Sequence, residues 1–229
     1  MKRLLNIALD NAGALGVVVI VLFLIIPLPT FLLDFLLIVN IGLAIMILMI
    51  TMNISEALEF SIFPSLLLVT TLFRLGLNVS STRMILRDGY AGEVIQNFGQ
   101  LITGGNIVIG VVIFLIIVLV QFIVITKGAE RVAEVAARFN LDAMPGKQMA
   151  IDADLSSGLI NEQEARARRQ KIQKEADFYG AMDGATKIVK GDAVMSIVIT
   201  LINFVGGVII GMVMGGGDFT TVLQTSSIV

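Results

Sequence analysis

The sequence predicts an all-α, polytopic helical membrane protein that carries a small helical cytoplasmic insert. The chain of 229 residues is 56% hydrophobic and only 15% charged, whereas a soluble domain carries about 25% charged residues. Its apolar residues form runs near the ~20 residues that a helix needs to cross a bilayer. Residues 127–192 interrupt these runs and hold 11 of the 16 Lys and Arg and 11 of the 18 Asp and Glu.

Four membrane helices are predicted within residues 1–126, ahead of the insert. Their apolar runs lie at residues 11–26, 31–52, 60–72 and 107–126. Pro27 and Pro29 end the first run, because proline lacks a backbone donor and disfavours helix in the residue before it. The short PLPT link then predicts an antiparallel hairpin. The third run contains Pro64 and continues into the polar stretch TLFRLGLNVSSTRMILRDGYAGEV.

Charged residues inside these runs need an explanation, because an ionised side chain costs at least ~2.5 kcal/mol near the bilayer centre. We expect Asp34 to lie at a membrane face near the PLPT turn or to point into a bundle. Arg74 and Asn78 are four residues apart and share one helix face. Two interpretations stay open for Arg74 and Arg83, namely snorkelling at the interface and a pore-lining or subunit-contact role.

A fifth membrane helix is predicted from residue 193 to about residue 214. Gly207, Gly211 and Gly215 recur every four residues and therefore lie on one helix face. Such a face allows another helix to approach closely. The spacing predicts a helix-packing surface without saying which helix packs on it.

The insert at residues 127–192 is predicted to contain two helices separated by a turn. The first spans residues 130–139, with an apolar stripe at Val132, Val135, Ala136 and Phe139. The Pro145-Gly146 pair predicts a turn over residues 141–148. Asn161 and Glu164 resemble a capping box, which starts a highly charged helix over residues 161–180.

No enzyme and no cofactor is predicted from these residues. The chain has no Cys and no His, which removes disulfides, thiolates and the commonest metal ligand. PGKQ lacks the first glycine and the Ser or Thr of a phosphate-binding loop. DADLSSGLINEQ places Asp152 and Asp154 at calcium-loop spacing, but Ser157 and Gln163 stand where that loop requires Gly and Glu.

The junction KIVKGDA places Lys187, Lys190 and Asp192 just before the fifth membrane helix. One interpretation is that Asp192 stabilises a helix N-terminus through the helix dipole. The other is that Asp192 is a protonatable carboxylate at the mouth of a membrane path and is paired with a lysine. The residues themselves leave both interpretations open.

Charge distribution predicts an orientation with both the N-terminus and the insert in the cytoplasm. Lys2 and Arg3 flank the first helix, the insert is rich in Lys and Arg, and such residues favour the cytoplasmic side. The four predicted helices between them agree with this orientation. Arg83 and Arg87 conflict with it, because they fall on the outer side or within the membrane. The last residues, GGGDFTTVLQTSSIV, stop where a further apolar run could begin, so we expect a fragment.

Three stretches together closely resemble the FHIPEP family, the large export-gate proteins of the bacterial flagellum and of virulence type III secretion. They are FRLGLNVSSTR at residues 73–83, KGAERVAEVAARFNLDAMPGKQMAIDADL at residues 127–155 and EADFYGAMDGATKIVKGDA at residues 175–193. The residues of the third stretch are more similar to those of flagellar members than to those of type III secretion members. The resemblance therefore adds an expected function, protein export, to the predicted membrane architecture.

The resemblance implies a nonameric homo-oligomer ring in the bacterial inner membrane, beside other export-gate membrane subunits. It implies coupling of inward proton flow to export of unfolded substrates. It also implies further membrane spans and a C-terminal domain, both beyond residue 229, that docks the export ATPase complex and chaperone–substrate complexes. The lipid membrane is an expected partner and nucleic acid is not.

The resemblance also directs attention to particular charges. It implies importance for Arg131, Arg138 and Asp142 in RVAEVAARFNLD and for Lys187 and Asp192 in TKIVKGDA, and it favours a proton-linked role for Asp192. Arg74 and Arg83 belong to a matching signature with no mechanism attached. The alternative to a proton-driven transporter is a scaffold segment that holds the ring without transport activity of its own.

Overall fold

The computed structural model describes residues 12–124, 128 and 130–214, and these residues form helices with no β-strand among them. A short 3-10 helix also lies at Ala57–Phe60. The α-helices are α1 (Ala12–Ile25), α2 (Thr30–Met52), α3 (Phe63–Asp88), α4 (Glu93–Thr103), α5 (Ile107–Ile123), α6 (Glu130–Asp142), α7 (Met144–Ser156) and α8 (Glu162–Met214). The all-α membrane architecture is therefore confirmed.

Helices α1 and α2 are separated at the predicted PLPT link, but within the described residues each packs on α3 rather than on the other. α1 ends two residues before Pro27, and Pro29 occupies the N-cap position of α2. Within the described residues, three helices are long and apolar enough to cross a membrane, and α4 with α5 adds a fourth if the bent pair counts as one span. α1 is a shorter apolar helix.

The third predicted span is one unbroken helix, α3. The sequence places Pro64 inside that span, but α3 begins at Phe63, so Pro64 lies in its first turn. Proline is tolerated there because the first backbone N–H groups of a helix have no intrahelical partner. At the other end Gly89 caps α3 in the left-handed region, with φ 66°, a conformation that glycine adopts without strain.

Helix α3 is central and runs parallel to both α1 and α8. Gly76, Ser80 and Arg83 contact Ile20, Phe23 and Leu24 of α1 in ascending order. On its other side the order also ascends, because the contacts of α3 join Arg74 to Asp192, Asn78 to Ser196 and Leu86 to Gly206. The described start of α1 therefore lies at the same end of the bundle as the insert, as the orientation argument requires.

The insert and the fifth membrane helix are joined by a single helix, α8, of 53 residues. At about 1.5 Å per residue, α8 extends for roughly 80 Å, more than twice the ~30 Å hydrocarbon thickness. Its apolar second part, residues 193–214, spans about 33 Å and forms the membrane segment. The boundary at residue 192 consequently falls inside one continuous helix.

Two local features of the insert differ from what its sequence pattern predicts. The Pro145-Gly146 pair predicts a turn, which is wrong, because α7 begins at Met144 and Pro145 occupies its first turn. The apolar stripe of α6 is not its packing face, since Val132 and Phe139 are exposed while Ala137 is buried. Small alanines allow α6 to pack closely on α8, which displaces the larger side chains outward.

Helix α7 folds back on the first part of α8 around a small apolar cluster. Its buried members are Ile151, Ile160, Ala165 and Ile172. The N-cap role of Asn161 is confirmed, because the Glu164 backbone N–H donates to Asn161 Oδ1 at 2.8 Å. The Glu164 side chain accepts from Arg168, so the second hydrogen bond of a capping box is not among the described contacts. Asp154, a carboxylate of the rejected calcium loop, binds Arg168 at 3.3 Å, and Asp152 binds Arg169.

Candidate functional site: a buried ion pair between two membrane helices

Asp192 is the buried carboxylate of the α3–α8 interface. Its side chain is only 3% exposed. It follows 30 residues of helix and precedes the 22-residue membrane segment. Because α8 is already helical from Glu162, Asp192 is far from any helix N-terminus. The helix-dipole interpretation of this residue is therefore wrong, and its charge must be balanced by a side chain from elsewhere.

Arg74 of α3 supplies that balancing charge. Its Nη2 donates to Asp192 Oδ2, which forms an ion pair between residues 118 positions apart in the sequence. The Arg74 side chain is 44% exposed, in contrast to its partner. The carboxylate of the pair is therefore enclosed by protein, whereas the arginine side chain is partly exposed.

The ion pair does not provide a hydrogen-bond partner for all of its polar atoms. Among the described residues, Arg74 Nε and Asp192 Oδ1 are buried atoms without a hydrogen-bond partner. Removing Arg74 would leave the enclosed Asp192 carboxylate uncompensated, which is costly, whereas removing Asp192 would leave an arginine side chain that is already 44% exposed. Adding a proton to the carboxylate would instead neutralise it in place. A neutral carboxylate would attract the Arg74 guanidinium less, so this contact between α3 and α8 depends on the charge of Asp192.

Three further polar residues of the stretch FRLGLNVSSTR join α3 to its neighbours, whereas Ser81 and Thr82 donate to the Asn78 carbonyl within α3. Asn78 Nδ2 donates to Ser196 Oγ of α8 at 3.4 Å. Ser80 Oγ donates to the Phe23 carbonyl at 3.0 Å. Arg83 donates from its two terminal nitrogens to the carbonyls of Leu24 and Ile25, at 2.8 and 2.9 Å.

Arg83 therefore caps the C-terminus of α1. The last carbonyls of a helix lack intrahelical partners and carry partial negative charge, so a guanidinium stabilises them. This contact also explains how Arg83 can lie on the side opposite the insert, where the charge rule did not expect it. Neither snorkelling nor pore lining is needed to account for Arg83.

The other predicted charges lie on the insert and pair locally. Lys187 Nζ donates to Asp183 Oδ2 at 2.7 Å, one helical turn away on α8. On α6, Arg131 pairs with Glu134 at 3.0 Å and Arg138 pairs with Asp142 at 3.6 Å. The α6 side chains are exposed, and exposed ion pairs contribute at most ~1 kcal/mol. They are consequently available for contacts outside this chain.

Close packing in the second part of α8 involves a glycine that the spacing argument missed. Gly207 and Gly211 lie in α8, and Gly215 lies outside the described residues. Gly206 is the residue that contacts α3, since a Cβ added there would come within 2.8 Å of Leu86 Cδ2. Phe114 of α5 also stacks against Phe204 with ring centroids 6.5 Å apart.

Sequence reasoning also missed the partnership of Arg74 with Asp192. The only available signal was that both charges adjoin apolar runs and have opposite sign. Helix pairing over 118 residues is not readable from spacing. A second missed feature is Asn203, whose Oδ1 is buried without a hydrogen-bond partner in the described part of the chain.

Several known proteins share most of this sequence. The flagellar biosynthesis protein FlhA of Bacillus subtilis is 62% identical over 207 residues, which cover 90% of this chain and 31% of the relative. FlhA of Escherichia coli K12 is 53% identical over 210 residues, with coverages of 90% and 30%. The low calcium response locus protein D of Yersinia pestis is 52% identical over 219 residues, with coverages of 96% and 31%.

The chain thus spans just under a third of the length of these relatives. No solved structure matches it. The model of the FHIPEP family matches residues 20–229, which include every helix from α2 to α8 and the Arg74–Asp192 pair. The chain therefore belongs to the FHIPEP family.

Proposed function

We propose that the chain is the membrane portion of a flagellar-type protein export gate that couples proton motive force to export of unfolded substrates across the inner membrane. Membership of the family and the flagellar names of two relatives support a place in the export apparatus. The Yersinia relative, a low calcium response locus protein, indicates that similar sequences are not confined to proteins with flagellar names. The multi-pass architecture supports an inner-membrane location.

The single observation that carries the proton-linked part is the Arg74–Asp192 pair. Asp192 lies where the apolar part of α8 begins, and this supports a position near a membrane boundary. In the charged form it binds Arg74 and holds α3 against α8. A proton on Asp192 would weaken this attraction, and the half-exposed guanidinium would turn away.

The continuous helix α8 offers a route from this pair to the insert. α6 and α7 both pack on the first part of α8, and no loop separates that part from Asp192. A tilt of α8 at the membrane boundary would therefore move the insert as a unit. In this proposal Lys187, five residues before Asp192 on the same helix, is a second functional charge of the junction, and its described ion pair is with Asp183.

The proposed orientation has the N-terminus and the insert in the cytoplasm. Because α1, α3 and α8 run parallel, α1 begins at the end of the bundle that carries the insert. This supports placing the N-terminus and the insert on the same side of the membrane. The excess of Lys and Arg in the insert supports the cytoplasmic side for that end.

A scaffold role is the second candidate, and the exposed face of α6 favours it. Phe139 is 72% exposed, and Val132 is exposed beside it. Arg131, Arg138 and Asp142 are also exposed on this helix. Such a face fits contact with a neighbouring copy in a nonameric ring or with other export-gate subunits. Reversing Arg131 or Arg138 would disrupt ring cross-linking, and reversing the partner charge would restore it.

Replacement of Asp192 separates the two candidates. We expect Asp192→Asn, placed at the matching position of the full-length Bacillus subtilis relative, to reduce motility and secretion at least tenfold, because a neutral amide cannot cycle a proton. Membrane level and ring cross-linking should stay near wild type. The matched control is Glu162→Gln, an exposed residue of the same helix, and it should leave export unchanged.

The outcomes of this experiment have distinct meanings. Undiminished export by Asp192→Asn would rule out the proton-linked role. Loss of ring cross-linking together with export would favour the scaffold. The exchange Arg74→Asp with Asp192→Arg adds a further comparison. It should restore assembly if the pair only joins α3 to α8, and it should not restore export if Asp192 carries the proton.

A further inference from the structure

Helix α4 is too short to cross a membrane and lies nearly at right angles to a helix that does. Its 11 residues extend for about 16 Å, roughly half of the ~30 Å hydrocarbon thickness. The angle between α4 and α5 is 101°. α5 consists of 17 mostly apolar residues and extends for about 26 Å, so it can cross most of the hydrocarbon without α4. Its first residues then lie at a membrane face. α4 must then extend along that face.

The side chains of α4 are separated into an apolar and a polar face. At 100° per residue its apolar side chains occupy an arc of about 120°, and they are Val94, Ile95, Phe98, Leu101 and Ile102. Leu101 is 80% exposed and Phe98 is 52% exposed. The opposite face carries Glu93, Gln96, Asn97 and Gln100.

Both ends of α4 are held at the membrane face where α5 begins. Asp34, in the first turns of α2, accepts hydrogen bonds from the backbone N–H groups of Glu93 at 3.0 Å and Val94 at 3.1 Å. It thereby caps a helix whose own N-cap residue, Gly92, has no side chain. Gly92 has φ 110°, and a Cβ there would collide with the Asp34 carboxylate. The C-terminal end turns at Gly104 into α5.

We propose that α4 lies in the membrane–water interface on the side opposite the insert, with Phe98, Leu101 and Ile102 in the lipid and with Asp34 as the residue that positions it. Lipid is the occupant of the apolar face because crossing helices adjoin α4 at both ends and fix it at bilayer level. α4 has no Lys or Arg, so apolar burial rather than attraction to anionic headgroups holds it there.

Tryptophan fluorescence tests this placement, because the 229-residue chain contains no Trp. Leu101→Trp and Gln100→Trp would each be placed in the full chain, reconstituted in phosphatidylcholine vesicles with or without brominated acyl chains. We expect at least threefold stronger quenching for Leu101→Trp, and a blue-shifted emission. Added phosphatidylglycerol should not change this ratio. Ile41→Trp, on the exposed surface of α2, reports correct insertion.

Other results would overturn the proposal. Equal quenching of Leu101→Trp and Gln100→Trp would show that α4 does not lie with one face in lipid. Weak quenching of a blue-shifted Leu101→Trp that increases when the protein is diluted with lipid would identify a second copy as the occupant. Weak quenching with red-shifted emission would place the face in water.

The positioning role of Asp34 is tested in the Leu101→Trp background. Asp34→Ala removes both hydrogen bonds, so quenching of this Trp should fall at least twofold. Asp34→Asn keeps an acceptor oxygen and should restore much of it. Unchanged quenching in Asp34→Ala would contradict the role of Asp34. The Ile41→Trp control with Asp34→Ala distinguishes local release of α4 from failed insertion, in which both signals would fall.

Discussion

At the residue scale, the two arginines inside α3 bind different neighbouring helices. Arg74 binds a carboxylate of α8, whereas Arg83, nine residues later, binds carbonyls of α1. Nine residues correspond to two and a half helical turns, so the two arginines face opposite directions. One signature therefore joins three helices, and the two arginines have different roles.

Arg83→Gln should destabilise the bundle by roughly 1–3 kcal/mol, since hydrogen bonds to charged groups are worth about 1.5–3 kcal/mol and some would survive. The measurement is the unfolding midpoint in detergent with a denaturant. Arg87→Gln is the matched control, because Arg87 is exposed on the same helix. Equal effects of the two substitutions would contradict the cap.

Lys171 connects the first part of α8 to the residues that follow α2. Its Nζ donates to Glu56 Oε2 at 2.9 Å, and this hydrogen bond raises the pKa of Lys171 above its ordinary value of 10.5. A raised folded-state pKa means that the contact stabilises fully below about pH 10.5. Its stabilisation is lost as the pH rises through the folded-state pKa.

We therefore expect the contribution of this contact to stability to be constant between pH 6 and 9, because Lys171 stays charged throughout that range. In carbon-13 spectra of methylated lysines, Glu56→Gln should move the Lys171 titration to lower pH. An unchanged titration would show that Glu56 does not stabilise the charged lysine.

Continuity of α8 is the main result at the level of elements. The charged part of this helix forms pairs such as Lys147–Glu175 at 2.9 Å and packs against α7, whereas its apolar part packs on α3 and, through Phe204, on α5. The composition of α8 changes from charged to apolar at residue 193 because the surroundings of the helix change there, although the helix itself continues. A change of solvent can therefore resemble a domain boundary in a sequence.

Packing of α7 on α8 leads to a prediction about the insert. Ile151→Ala should reduce local stability by about 2–5 kcal/mol, because it leaves a cavity between Ile160 and Ile172. Hydrogen exchange of α7 amides should accelerate accordingly. Met149→Ala is the control, because Met149 is exposed on the same helix, and it should leave exchange unchanged. Equal protection in both variants would contradict the cluster.

At the scale of the whole molecule, helices α1, α3 and α8 run in one direction. This arrangement brings residues about 118 positions apart into contact and makes α3 the common neighbour of α1, α2 and α8. It also divides the molecule into an end that carries the insert and an end that carries α4. Proton-linked movement and interfacial anchoring are thus proposed for different ends.

The parallel register predicts a specific cross-link. Asn78→Cys with Ser196→Cys should form a disulfide on mild oxidation, since the native side chains lie 3.4 Å apart. The control pair is Asn78→Cys with Met195→Cys, because Met195 is exposed on α8. The absence of other cysteines makes the product unambiguous. A stronger product from the control pair would refute the register.

Features with local causes could be predicted from the sequence: the membrane class, the break between the first two helices at Pro27 and Pro29, the N-cap at Asn161 and the family resemblance. These features depend on composition, on proline chemistry or on hydrogen bonds within a few residues. The same causes directed attention to Asp192 and Arg74, although as separate residues.

Which charges meet depends instead on tertiary packing. The sequence offers Asp192 either a helix terminus or a lysine partner, and its described ion pair is with Arg74 of α3. The stripe containing Val132 and Phe139 faces outward, because small alanines pack on α8 in its place. Asp34 caps a helix 59 residues away. These outcomes depend on the direction and register of packed helices, which are set by contacts distant in sequence and carry no periodic signal of their own.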